Sequence, residues 1–286
     1  MNTPTPSKSP TNALQPTSSD SPLPDILTKK NTESQEALSK AKVNWLLYGD
    51  PATGKTHTAF TGRQPVYCQS FDPQGSDIPH LHEMVRNGTA IIDRTCEAED
   101  ADRPSAFVNF NKNFMAMQKS GAFNHIGTYV IDSLTFFSDA VLNFTLQQEG
   151  RAGTHPQIQD YSRVKATLKK VMLACCNLPC DFVLTGHIQT EKDEVNLTTI
   201  TSLMTIGKNA IIIPQYFSEF LVTDVLAKGD TIDYRLLTKP HKRYRARTRI
   251  GSGKFKDYET PDLMYLRKKA GFAASHLPPL PTEENP

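Results

Sequence analysis

The sequence is short of several things, and each shortage closes off a class of protein. Nowhere do 18 apolar residues run together, which excludes a membrane-spanning helix. No apolar segment follows the basic residues near the N-terminus, so a secretory signal is not expected. The five cysteines are an odd number without a paired framework, the pattern of a chain that stays reduced in the cytoplasm. Charge of one sign is also lacking: 32 Lys and Arg against 30 Asp and Glu leave +2. Only a local cluster of charge, not the total, can point to a polyanion partner. There is no internal repeat. No Ser sits in a G-x-S-x-G turn, which removes the hydrolase that Asp132, Ser133 and His187 might otherwise suggest.

Ordinary globular composition is there instead. Hydrophobic residues make up 38% and charged residues 22%, enough for a sizeable core and a soluble surface. Residues 1–40 stand apart, because 19 of them are Pro, Ser or Thr and four acids balance four lysines. Such a stretch buries too little apolar surface to offset its ordering entropy. It is expected as a disordered tail with a short helix near Thr32–Lys40, a plain linker in preference to a partner-docking segment.

From Val43 the texture changes. Short apolar runs at Val43–Tyr48, Val66–Phe71, Ala90–Arg94, Tyr129–Ile131 and Phe182–Thr185 read as strands. Helical spacing marks a helix from Lys55 and others over Pro104–Ser120, Leu134–Gln148, Gln159–Cys176 and Pro261–Ala270. Phe217–Val225 and Thr231–Leu237 read as a hairpin turning at Gly229-Asp230. Alternating strands and helices predict an α/β fold, a mostly parallel sheet flanked by helices with a C-terminal antiparallel hairpin. The expected division is a tail over 1–40, one domain over 41–255, and a C-terminal helix and tail over 256–286.

The strongest motif is Gly49-Asp50-Pro51-Ala52-Thr53-Gly54-Lys55-Thr56, which fits G-x-x-x-x-G-K-[ST] between a strand and a helix. Its glycines let backbone N–H groups turn inward around phosphate oxygens, and the helix start adds its positive dipole end. Lys55 reaches the β- and γ-phosphates of ATP, and the Thr56 hydroxyl ligates Mg2+. Asp132 closes the apolar run Tyr129–Ile131 and is expected beside the metal from a strand adjacent to the P-loop strand. A plain helix cap is the competing reading for Asp132.

Further along, Val130–Thr135 reads VIDSLT, Val183–His187 reads VLTGH, Thr205–Phe220 reads TIGKNAIIIPQYFSEF, and a basic segment contains RARTRIG. In this order, across residues 43–255, the chain resembles the RecA/RadA-type P-loop ATPase core. It resembles in particular the phage RecA-like nucleotide-binding proteins of the Sak single-strand-annealing, AAA-type family. The resemblance implies a RecA-like fold, ATP and Mg2+ as cofactors, and single-stranded DNA as partner. It also implies homo-oligomers, a phage or host single-strand-binding protein as further partner, and a role in recombination or replication in the cytoplasm.

The resemblance also implies residue roles. Where the family carries a water-polarising glutamate after the second strand, this chain has Phe71-Asp72-Pro73-Gln74-Gly75. Gln74 stands in the glutamate's place, and an amide orients water without taking its proton. Either Asp72 substitutes or turnover is slow; a simple Pro-Gly turn is the other reading. His187 falls where a polar residue senses the γ-phosphate and leads into a DNA-binding loop, although a strand-end cap also suits it. The loop after it carries Glu191, Asp193 and Glu194, which disfavour a phosphate backbone and suit a hairpin away from DNA. Lys208 contacts either a nucleotide across a subunit interface or DNA phosphate. Arg247 and Arg249 occupy the place of the pair that reaches a neighbour's γ-phosphate.

Between Lys239 and Lys256 there are eight Lys or Arg and no acid. If Arg243–Arg249 is a strand, Arg243, Arg245, Arg247 and Arg249 share one face. With Lys242 and Lys208 they form the expected nucleic-acid contact, since like charges so close call for a polyanion; a solvated face is the plainer alternative. Tyr244 and Tyr258 add stacking surfaces. Cys175, Cys176 and Cys180 are read as buried structural thiols; His80-Leu81-His82, read on a strand, has the spacing of a metal pair, but no third ligand suggests itself. Two rivals to the DNA reading remain: a nucleotide-dependent switch acting on a protein, and a small-molecule kinase, which lacks an Arg-rich lid.

Overall fold

The computed structural model describes residues 24–39, 41–193, 198–207, 209–241 and 244–282. Two units emerge, one ending at Lys40 and one from Ala41 to Pro286. Within the first, α1 covers Asp25–Ser39, longer than the short helix expected there, with Ile26 and Leu27 exposed.

In the second unit the elements run β1 (Asn44–Gly49), α2 (Lys55–Phe60), β2 (Val66–Ser70), α3 (Pro79–Arg86), β3 (Ala90–Asp93), α4 (Ala106–Ser120) and β4 (Thr128–Asp132). They continue as α5 (Leu134–Gln148), α6 (Ile158–Cys176), β5 (Asp181–Asp193), β6 (Thr198–Leu203), α7 (Asn209–Ile212), β7 (Glu219–Lys228), β8 (Thr231–Leu237), β9 (Tyr258–Glu259) and α8 (Leu263–Ala270). The sheet order is β3-β2-β4-β5-β1-β7-β8-β9, with β6 paired to β5 alone. β1 to β5 and β7 pair in parallel, whereas β8 and β9 add antiparallel strands at one edge. This is the expected α/β architecture.

The apolar runs of the strands are continuous because both sheet faces are covered. Alternation then sorts their residues. Leu46 and Tyr48 of β1, Tyr129 and Ile131 of β4, and Phe182 and Leu184 of β5 face one core. Trp45 and Leu47, Val130 and Val183 face the other. The first core is aromatic: Phe110 of α4 and Phe137 of α5 pack at 4.9 Å, and Phe71 meets Phe137 edge-on at 5.0 Å. Each such ring contributes on the order of 1.5–3 kcal/mol by burial.

Two expectations need correction here. β4 is not adjacent to β1, because β5 lies between them, paired with both. His80 and His82 lie on helix α3, started by Pro79 and buried through Leu81 and Met84, so they form no strand pair. The stretch from 256 onward contributes β9 to the sheet, and Leu263, Leu266 and Ala270 of α8 pack into the second core. At the end of the sheet away from the P-loop, Arg267 of α8 bonds both carboxylate oxygens of Asp181, at 3.0 and 3.1 Å, and both side chains are buried.

Candidate functional site

The C-terminal ends of β1 and β4 lie beside Leu184–His187 of β5, and the loop between β1 and α2 follows Gly49 at that edge. Its path needs two left-handed residues, Ala52 (φ +60°) and Gly54 (φ +83°). Alanine tolerates this poorly and glycine freely. Gly49 is required for a different reason: a Cβ there would fall 2.3 Å from Thr223 Oγ1 and 2.5 Å from its carbonyl oxygen on β7. Thr223 also sits 2.6 Å from Thr53 Oγ1, and Thr53 donates to Asp50 C=O at 2.7 Å. The loop is thus clamped from β7, a contact no local motif announces.

Lys55 is buried and its ammonium donates to Gly49 C=O at 3.1 Å and Asp50 C=O at 2.7 Å. Burial pulls its pKa below the ordinary lysine value, while Asp132, Asp72 and Asp50 act in the other direction. Thr56 Oγ1 donates to Asp132 Oδ2 at 2.6 Å. Asp132 is 2% exposed, and the hydroxyl of Thr185 on β5 donates to its other oxygen. Burial pushes the Asp132 carboxyl above the usual carboxylate range, against the bonds from Thr185 and Thr56. The intervening strand therefore holds the acid from one side while α2 meets it from the other. Thr185 was visible in VLTGH only as a strand residue; its partner depends on the β4–β5 register.

Asp72 and His187 face the same space. Together with Lys55, Thr56, Tyr234 and Pro261 they line a cavity of about 850 Å3. His187 is level with Gly49 in the parallel register, and its Nε2 lies 3.5 Å from Asp72 Oδ2. Its backbone N–H donates to Thr135 Oγ1 at 3.3 Å. Immediately beyond it, Ile188 begins the antiparallel pairing of β5 with β6. Glu191 and Asp193 are on that hairpin, opposite Ile200 and Thr198, and Glu194 lies outside the described residues. Gln74 is not in the cavity lining; it has φ +58° and is exposed.

The basic segment differs from expectation. Residues 244–250 form no strand; isolated bridges join His241 to Tyr244 and Phe220 to Arg247. Arg245 and Arg249 are exposed, whereas Arg247 turns inward and donates to Pro214 C=O and Phe217 C=O, each at 2.8 Å. Among the described residues, Arg247 therefore does not share a face with Arg245 and Arg249. Arg247 is held by the fold, and Lys208, Lys242 and Arg243 lie outside the described residues. Tyr48 of β1 fastens the segment, donating to Arg245 C=O at 2.6 Å and accepting from its N–H at 3.1 Å. Glu219 of β7 accepts from the N–H groups of Arg249 and Ile250 at 2.9 and 3.0 Å.

The five thiols are free; Cys175 is fully buried and burial pushes the Cys176 thiol up to about 11. Among the described residues no three His, Cys, Asp or Glu form a metal cluster, and no helix is long and apolar enough to cross a membrane. The oxygen pair Thr56 and Asp132 nevertheless fits Mg2+, which uses one or two protein oxygens and takes the remainder from water and phosphate.

A strand, a left-handed loop, a buried lysine and a threonine bonded to a buried strand-end acid define a P-loop NTPase domain. The family model described as an AAA domain matches residues 41–250, so the chain belongs to that AAA-domain family of P-loop ATPases. Among solved structures it is similar to a KaiC-like protein of the hyperthermophilic archaeon Pyrococcus horikoshii OT3. Identity is 14%, TM-score 0.42, and 72% of this chain and 82% of that one are covered. It is also similar to the flagellar accessory protein FlaH of Methanocaldococcus jannaschii, with 11% identity, TM-score 0.39, and coverage of 79% and 88%. No curated protein matches.

Proposed function

We propose that the protein is an ATP-hydrolysing, RecA-like switch that binds single-stranded DNA in phage recombination or replication, acting as a homo-oligomer in the host cytoplasm. The observation that carries the reading is the placement of His187. It faces the cavity beside Asp72 and is followed at once by the β5–β6 hairpin. A group within β5 that distinguishes nucleotide states can thereby order the hairpin that starts at the next residue.

The P-loop backbone and Lys55 bind the phosphates, with Lys55 exchanging its two carbonyl partners for phosphate oxygens. Thr56 and Asp132 hold Mg2+, which supplies positive charge to the phosphate oxygens when bound. Exposed Arg245 and Arg249 support a phosphate-backbone contact, joined by Lys208, Lys242 and Arg243. The resemblance in motif order supports the recombination setting. Arg249 is left as the residue suited to reach a neighbouring subunit, since Arg247 is held by carbonyls.

A second reading is favoured by one observation: the hairpin that follows His187 carries Glu191 and Asp193, and acids repel a phosphate backbone. A nucleotide-dependent switch acting on a protein fits that charge. Anisotropy of a labelled single-stranded oligonucleotide separates the two. Binding that needs Mg-ATP and is lost in Lys55→Ala supports the DNA reading. Nucleotide binding with no oligonucleotide binding at low salt rejects it in favour of a protein partner.

A further inference from the structure

The cavity beside the P-loop joins two kinds of surface. Asp72 and His187 reach it from β2 and β5, on one side of β1, and Tyr234 reaches it from β8, on the other. Its volume, about 850 Å3, suits a whole small-molecule ligand and not a phosphate chain alone. The sheet explains how Tyr234 comes to be there. Alternation puts Leu236, Tyr234 and Ile232 of β8 on one face, opposite Thr223, Val225 and Ala227 of β7. Leu236 is buried with Ala59 and Phe60 of α2 in the second core, and Thr223 clamps the phosphate loop. Just past that clamp, Val225 and Tyr234 stay 37% and 44% exposed, an apolar continuation of a face that is buried further in. The Tyr234 ring lies against the loop, its Cδ1 3.3 Å from the position that a Cβ on Gly54 would take. The strand is stiff at this point: Arg235 donates to Asp224 Oδ2 at 2.6 and 2.9 Å, and its guanidinium lies 4.0 Å from the centre of the Tyr258 ring. Pro261 also lines the cavity, and the turn that carries it is fastened to the end of α2, where Leu263 N–H donates to Thr61 Oγ1 at 2.9 Å.

We propose that Tyr234, with Pro261, is the platform for the nucleobase, and that it accepts guanine nearly as well as adenine; this rests on the P-loop reading above. Lys55 and Thr56 fix the phosphates, and the base lies toward β8. An aromatic ring holds any base by stacking, because every base has a π-face. Tyr234 and Pro261 meet the base with their faces, and a face does not read the hydrogen-bonding edge that separates adenine from guanine. The ligand class of the site is therefore a purine nucleoside triphosphate and not ATP alone. The half-exposed tyrosine on an otherwise buried sheet face is covered when that ligand binds.

The test is isothermal titration of full-length wild type, Tyr234→Ala and Tyr234→Phe with ATP, GTP and inorganic tripolyphosphate, each with Mg2+. Wild type is expected to bind ATP and GTP within about fivefold of each other, since stacking tolerates either base, and tripolyphosphate more weakly than both. Tyr234→Ala should weaken ATP and GTP alike by about 5- to 100-fold, the range for one lost stacking contact. Its affinity for tripolyphosphate stays within about twofold of wild type, which shows that the phosphate loop is intact. Tyr234→Phe keeps the ring face and recovers both nucleotide affinities. Tyr234→Ala with wild-type nucleotide affinity overturns the assignment. So does an equal loss for tripolyphosphate, because the ring would then support the loop and not the base. A preference for ATP over GTP of more than about fivefold overturns the reading by faces. A wild type that binds tripolyphosphate as tightly as ATP overturns the platform while leaving the phosphate site standing. A wild type that binds none of the three removes both.

Discussion

The P-loop cluster and the basic segment are both held against β1, yet they are built in opposite ways. Lys55 and Asp132 are buried and Thr56 is half-buried, all three are bonded, and the donors come from α2 and β5. Around Arg245 to Arg249 the chain has no regular structure and is fastened by Tyr48, Glu219 and the carbonyls of Pro214 and Phe217. The first region is a local motif whose loop is further clamped by Thr223 of β7 and whose acid is held by Thr185 of β5. The second takes its geometry from whatever it lies against. Charge spacing alone therefore misplaced Arg247, which looks like its neighbours in sequence and behaves differently in the fold.

The contrast can be broken from either side, and the largest effect is expected at the P-loop. Lys55→Ala should weaken ATP binding roughly 10- to 100-fold, the size of one or two lost charge-assisted hydrogen bonds. Isothermal titration measures it, and an unchanged affinity would separate the lysine from phosphate binding. Gly49→Ala should cost about 1–3 kcal/mol of stability, because the new methyl meets backbone as well as side chain of Thr223. Urea unfolding of the nucleotide-free protein reads that cost directly.

On the other side, the arginines should divide. Arg247→Ala should destabilise by about 1–3 kcal/mol, leaving two carbonyls without their donor. Arg245→Ala with Arg249→Ala should leave stability nearly unchanged and reduce the salt slope of oligonucleotide binding by about one per arginine. If all three behave alike, the distinction drawn between inward and outward arginines is wrong.

The smallest effect concerns Glu219. Burial raises its pKa above its ordinary 4.5, against bonds from Thr248 and the N–H groups of Ile250 and Arg249. A raised acid binds its proton more tightly folded than unfolded. Stability should therefore fall as pH rises from about 4.5 towards the raised value. Glu219→Gln should flatten that part of the pH profile, and urea midpoints across the range decide it.

The sequence showed those parts of the molecule that are set by neighbours in the chain. Leu134–Gln148 was legible as a helix to its ends, and Gly49–Thr56 as a phosphate loop, since spacing along the chain determines both. What depends on register was not. The insertion of β5 between β1 and β4 could not be read from apolar runs that look alike, and with it went the partnership of Thr185 and Asp132. Phe182–Thr185 looked like a short strand because β5 turns polar beyond Gly186, where it leaves the buried sheet and pairs with β6. Pro79 was the signal for α3 that the paired histidines obscured. Asp72 and Gln74 were both visible, but only the turn after β2 decides which one faces the cavity.

The account rests on a nucleotide site whose occupancy is felt through His187 by the β5–β6 hairpin. Hydrogen exchange with and without Mg-ATP tests it most directly. The account predicts slowed exchange of the P-loop amides and also of Ile188–Thr190 and Thr201–Leu203, with both changes absent in Lys55→Ala. Protection confined to the P-loop, with the hairpin amides exchanging equally in both states, would contradict it.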